Sequence, residues 1–287
     1  MTDTALGIVF RPQRPPEELL ATAEAADRAG LDELWLWEDC FEESGIAAAA
    51  AALARTERLS VGVGILPVPL RNPALTAMEV ATLARLFPGR VRIGLGHGVQ
   101  EWMGQVGVRA ESPMTLLREY VSAVRRLLAG ERVTVEGRYV RLRDVQLGWP
   151  PEPPPPIAVG AVKPKTIALA GEIADGMVLS AESTEADVRA AVAAYDSARG
   201  ERPGRVTAFV IALTGPGAAA RYAAELAHWN LDPARPYGVA GTPADLAAEV
   251  RRRVAAGAGA VMLQPTAEDD PVAYAETIGR EVAPLVG

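Results

Sequence analysis

The chain of 287 residues contains one cysteine and two histidines. With Cys40 alone, neither an internal disulfide nor a cysteine-based zinc cluster can form. With only His97 and His228, the several histidines that a hydrolytic metal barrel places among its carboxylates are missing, and no metal site is expected. Excess positive charge is also lacking. The 29 Lys and Arg against 36 Asp and Glu leave a formal charge of -7, which argues against a broad nucleic-acid or anionic-membrane surface. The first residues, "MTDTALGIVFRP", show no basic leader followed by a long apolar run, so a reducing cytoplasm is the expected home. A G-x-S-x-G nucleophile elbow is absent. "GLGHGVQ" (from Gly94) fails the G-x-G-x-x-G dinucleotide pattern, and no P-loop lysine follows it.

What is present is apolar and regular. Hydrophobic residues make up 49% of the chain and charged ones 23%, enough for a large core in an ordinary globular protein. Eight short runs rich in Val, Ile and Leu recur: "ALGIVF", "ELWLW", "LSVGVGIL", "RVRIGL", "PIAVGA", "GMVLS", "RVTAFVIAL" and "GAVMLQ". Segments with helical periodicity separate most of them, the signature of a parallel sheet covered by helices. Asn72-Pro73, Ser112-Pro113 and Thr242-Pro243 read as N-caps followed by proline at the first helical position. Gly89, Gly130 and Gly257 fall where a left-handed residue ends a helix. From Ser112 to Ala129 one stripe carries Leu116, Leu117, Tyr120, Val121, Val124, Leu127 and Leu128, which predicts a helix lying on a sheet.

Eight β-α units in one chain, 1–287, predict an α/β protein with a closed (β/α)₈ TIM barrel as a single domain, in preference to an open doubly wound sheet. "RVTVEGRYVRL" predicts a small hairpin turning at Glu136-Gly137, an excursion between the fourth and fifth units. "WPPEPPPP" after it reads as a stiff connector. In such a barrel the loops after the strands converge on one mouth. The polar residues there include Arg11, Glu38, Asp39, Cys40, Arg71, His97, Lys163, Lys165, Ser180, Glu182 and Gln264.

Four segments resemble the bacterial luciferase-like flavin and deazaflavin oxidoreductases: "GLDELWLWEDC", "LSVGVGILPVPLRNPALTAMEVATLARLFPGRVRIGLGHG", "PPIAVGAVKPKTIALAGEIADGMVLS" and "VAGTPADLAAEVRRRVAAGAGAVMLQP". The resemblance implies an enzyme that uses coenzyme F420 for hydride transfer with a small organic substrate. An FMN-dependent monooxygenase or a non-catalytic flavin-binding barrel are the alternatives. A homodimer is common among such proteins. The resemblance puts the cofactor tail at Gly160, Ala161, Val162 and Lys163, where a turn feeding a helix offers free N–H groups. It puts a non-proline cis bond at Gly64-Ile65 in "GVGIL", with Gly64, Ile65 and Leu66 against the ring, and Gly96, His97 and Gly98 as the floor beneath it. Asp39, Cys40 and His97 become the catalytic candidates. His97 either exchanges a proton or only hydrogen-bonds the cofactor. Cys40 stands where the family often has histidine, and Val99 where the sugar-phosphate dehydrogenases have glutamate, which argues against glucose 6-phosphate oxidation.

Overall fold

The computed structural model describes residues 4–287. Eight parallel strands close into a barrel: β1 (Ala5–Phe10), β2 (Glu33–Leu36), β3 (Ser60–Pro67), β4 (Val91–Gly96), β7 (Ile157–Gly160), β8 (Gly176–Leu179), β9 (Arg205–Thr214) and β11 (Ala260–Gln264). They pair in that order, and β11 returns to β1. These are the eight expected runs. Each is apolar on both faces, because one face fills the barrel and the other meets the helices. The period of two still separates the layers. Phe209, Ile211 and Leu213 point inward with Trp35, Val9 and Met262, whereas Ala208, Val210 and Ala212 join the shell under the helices.

The helices between the strands are α1 (Leu19–Arg28), α2 (Gly45–Arg55), α3 (Pro73–Leu86), the short α4 (Gln100–Gln105) and α5 (Pro113–Leu128) in the first half. In the second half come α6 (Pro164–Ile173), α7 (Glu185–Arg199), α8 (Ala218–His228), α9 (Pro243–Ala255) and α10 (Pro271–Thr277). Ile278–Val282 is a π-turn that leads into α11 (Ala283–Val286). The seven stripe residues of α5 are all buried. Gly89, Gly130 and Gly257 all have positive φ, as a left-handed helix end requires. Asn72 and Thr242 cap their helices as expected. Ser112 does not: its hydroxyl bonds Thr115 Oγ1 at 2.8 Å instead of a backbone N–H. None of the described helices is long and apolar enough to cross a membrane.

Two features depart from expectation. The hairpin of β5 (Val133–Glu136) and β6 (Arg141–Val145) turns over residues 137–140, not at Glu136-Gly137. Glu119 on α5 explains this, since its carboxylate accepts from the backbone N–H groups of Arg138, Tyr139 and Val140 at 2.9–3.0 Å and so fixes a wider turn. A ninth parallel strand, β10 (Gly238–Gly241), pairs with Ile211–Thr214 at the upper end of β9. Its sequence "GVAG" has almost no side chain to betray it.

The lower end of the barrel is closed by an ion cluster. Glu33, buried inside, accepts from Arg205 at 2.7 Å, Arg92 at 3.2 Å and the Trp35 indole at 2.8 Å. This leaves the upper mouth as the open end.

Candidate active site

A cavity of about 980 Å³ opens at the C-terminal ends of the strands, where barrels of this kind carry their chemistry. Its size lies at the top of the range for cofactor and ligand sites. Nine of the expected cofactor residues line it: Gly64, Ile65, Gly96, His97, Gly98, Gly160, Ala161, Val162 and Lys163. Leu66 does not. It is 1% exposed and sits in the shell under the helices, because alternation along β3 sends neighbours to opposite faces and Ile65 takes the cavity side.

The peptide between Gly64 and Ile65 is cis, at the expected place. Here β3 carries a bulge. Val63 pairs with Ile93 and Leu66 with Leu95, so Gly64 and Ile65 together oppose only Gly94. The bulge directs the Ile65 side chain toward glycines. A Cβ on Gly94, Gly96 or Gly160 would lie 3.1, 2.8 or 2.6 Å from Ile65 side-chain atoms. These glycines therefore make room for Ile65, and Ile65 becomes part of the floor the glycines alone were expected to supply. Gly98 has another reason: its φ is +67°, and an added Cβ would meet the Pro67 side chain at 2.9 Å.

Beside this platform, the β7–α6 junction carries Lys163 on the turn and Lys165 in the first turn of α6, both on the cavity wall. The Ala161 N–H is spent on the Val178 carbonyl at 3.0 Å. The α6 N-terminus, with Pro164 at its first position, has no side-chain cap. By contrast, Thr184 with Asp187 and Thr242 with Asp245 form closed capping boxes on α7 and α9. An uncapped helix start beside two ammonium groups suits an anion.

The loop after β2 brings the carboxylates. Asp39 lines the cavity. Burial holds its carboxyl above the ordinary range, with Glu42 adding to the effect and the Arg11 guanidinium opposing it. Glu38 also lines the wall. Its carboxylate is occupied: Arg71 grips it with two nitrogens, one at 2.7 Å, and the Gly45 N–H donates to it at 2.7 Å. Cys40 is outside the cavity lining, and burial, Glu38 and Asp39 push its thiol up. A thiol so placed is a poor thiolate nucleophile. The peptide from Cys40 to Phe41 is cis as well.

His97 lines the cavity with its Nδ1 buried and unpartnered. Burial pushes its pKa down while the Pro113 carbonyl pulls the other way, so the ring is neutral at neutral pH. His228 ends α8, packs edge-on to Trp229 at 5.0 Å and lies outside the main cavity.

Glu43, three residues after Cys40, carries two buried carboxyl oxygens with no partner. Burial, helped by Glu42 and Asp39, pushes it up to about 7 from the ordinary 4.5. Between those pH values the native chain keeps a proton that the unfolded chain has released, so stability falls as pH rises through this window. Glu43→Gln should remove that fall. The full shift corresponds to about 3 kcal/mol, and partial solvent access reduces this to roughly 1–2 kcal/mol. Urea midpoints should match at pH 5 and favour the variant at pH 8; no gain at pH 8 would refute the assignment.

Sequence reasoning missed the aromatic side of the cavity, formed by Phe209 and Ile211 of β9 with Trp229 and Leu231 after α8. The alternation Phe209, Ile211, Leu213 held the signal for the first pair. Trp229 and Leu231 come from the segment just after α8 and meet the cavity only in the folded chain.

Among curated relatives, the 5,10-methylenetetrahydromethanopterin reductase of Methanolobus tindarius is 32% identical over 176 residues, 61% of this chain and 53% of the relative. The F420-dependent glucose-6-phosphate dehydrogenase of Beutenbergia cavernae is 34% identical over 181 residues, 58% and 53% of the two chains. The matches thus span about half the length of these relatives. Among solved structures, an F420-dependent secondary alcohol dehydrogenase in complex with an F420-acetone adduct superposes with a TM-score of 0.88 at 22% identity, covering 99% of both chains. The oxygenating constituent of 3,6-diketocamphane monooxygenase from Pseudomonas putida, in complex with FMN, gives 0.79 at 19% identity and 99% of both. At these identities the likeness shows the fold. The luciferase-like monooxygenase family matches residues 4–279, and with nearly its whole length matched the chain belongs to that family.

Proposed function

We propose that the protein, acting as one unit over 1–287, is an oxidoreductase that binds coenzyme F420 at the barrel mouth and exchanges a hydride with a small organic substrate. The observation that carries this reading is the placement, in one cavity of about 980 Å³, of the Ile65 platform and the uncapped α6 start with Lys163 and Lys165. The F420-dependent relatives support the choice of cofactor. The platform suits a flat ring, and the α6 turn suits an anionic tail. Trp37 Nε1, His97 Nδ1 and Ser180 Oγ, all on wall residues, find no partner within the protein, which leaves hydrogen-bonding capacity for a bound polar edge.

When bound, the deazaflavin supplies a two-electron hydride acceptor or donor. The chain's own task is to hold ring and substrate in contact, exclude water and manage one proton. Asp39 is the group we assign to that proton, because it lines the cavity and its raised carboxyl can take or give a proton closer to neutrality. Neutral His97 serves as hydrogen-bond partner to the ring or as the alternative proton carrier. Cys40 has no direct part. We also infer a cytoplasmic homodimer: Leu75, Met78 and Leu86 lie exposed on α3, an apolar stripe suited to a second copy.

Titration of the purified protein with F420 and with FMN tests the reading. F420 should bind at least about tenfold more tightly, a difference of about 1.4 kcal/mol. Tighter binding of FMN would favour a monooxygenase instead, and F420 binding without turnover on any substrate would favour a non-catalytic carrier.

A further inference from the structure

Three aromatic rings line one side of the cavity. Trp37 and Phe209 stack at 24° with centroids 6.2 Å apart, and Trp229 meets Trp37 edge-on at 6.5 Å. Ile211, Leu231 and Val178 extend the same apolar wall. The positive charge nearest these rings does not enter the cavity. Arg11 lies behind Trp37 and Trp229, 5.1 and 5.8 Å from their centroids, and is 2% exposed. Its guanidinium is consumed by Glu225 at 2.6 Å, the Pro265 carbonyl at 3.0 Å and Gln13 at 3.0 Å. Glu225 in turn holds the Trp229 indole N–H at 2.7 Å, so the buried ion pair fixes the ring that forms the wall. Among the described residues, the cations that do line the cavity are Lys163 and Lys165, at the start of α6.

From this arrangement we infer that the substrate is an uncharged molecule with a ring-sized or branched apolar body, held against Trp37, Phe209 and Trp229, and not a phosphorylated or otherwise anionic one. The inference rests on the cofactor reading above, which commits Lys163 and Lys165 to the cofactor tail and leaves no cation for the substrate. An anionic substrate would lose its hydration beside aromatic rings and near Asp39 without gaining a counter-charge, an unfavourable exchange. An alicyclic or aryl body gains both apolar burial and ring contacts.

The test is calorimetric titration of the F420-loaded protein, and of the cofactor-free protein, with cyclohexanol, benzyl alcohol and glucose 6-phosphate. The two apolar alcohols should bind at least about tenfold more tightly than glucose 6-phosphate, with the negative heat-capacity change of apolar burial. Trp229→Ala should weaken cyclohexanol about fivefold or more while leaving F420 affinity within about twofold. Leu231→Ala gives the same reading, with a smaller loss, where the tryptophan variant does not fold. Glucose 6-phosphate binding as tightly as the alcohols overturns the inference, as does cyclohexanol affinity unchanged in both variants. If the protein binds no F420 but still binds cyclohexanol through Trp229, the cofactor reading has failed and the assignment of the apolar wall stands.

Discussion

Arg253→Met should destabilise the protein by about 3 kcal/mol and loosen the mouth of the barrel. Arg253 is fully buried on α9 and makes three bonds, to Glu249 at 2.6 Å, the Ser183 carbonyl at 2.6 Å and the Tyr237 carbonyl at 2.9 Å. Ser183 follows the loop that carries Ser180 and Glu182 to the cavity, and Tyr237 ends the excursion that carries Trp229 and Leu231. One guanidinium therefore ties two mouth segments to one helix. Its loss orphans two buried carbonyls, while Glu249 keeps Arg252 at 2.5 Å, so the cost falls at the lower end of that for breaking a buried ion pair. Urea unfolding gives the magnitude, and hydrogen exchange should show faster opening at 181–184 and 215–237. A loss below about 1 kcal/mol with unchanged exchange would mean that packing alone holds these segments.

Asp39→Asn should lower the turnover of any alcohol the wild type oxidises by about 10²- to 10⁴-fold, the usual contribution of a positioned acid–base group. Affinity for F420 should change by less than about threefold, because the substitution keeps the shape of the side chain and removes only its proton chemistry. In the oxidative direction the carboxyl must be ionised to accept a proton. Since burial raises its pKa above the ordinary 3.8, the wild-type rate should fall as pH drops through that raised value, and the variant should lose this limb. Full activity in Asp39→Asn would transfer the role to His97, and His97→Asn would then show the loss.

Much of this architecture was legible beforehand for a simple reason. A barrel strand between core and helix shell must be apolar on both faces, so each of the eight strands stands out as a run such as "RVTAFVIAL", whatever its partners. Caps and left-handed glycines are similarly local: Asn72, Thr242 and Gly257 act on their own helices. The cavity-lining positions Asp39, His97 and Gly160 were reachable because strand ends converge by topology. Cys40 and Leu66 were misplaced by a single residue step, since the side of the chain on which a residue falls after a bulge or at a strand exit depends on backbone geometry. Ser112 lost its expected capping role to a competing hydroxyl one turn away.

The sequence by itself determined the eight barrel strands, most helix ends and the poverty in metal ligands, because each follows from composition or from interactions within a few residues. Only the tertiary structure decided that Glu38 is spent on Arg71, that Arg11 hides behind Trp37 and Trp229, and that three glycines on two strands serve one isoleucine. Those pairings join residues 26 to 218 positions apart in the sequence. Nothing local specifies them: they arise when closure of the barrel brings distant chain segments to one mouth, and there they determine which charges are free to act.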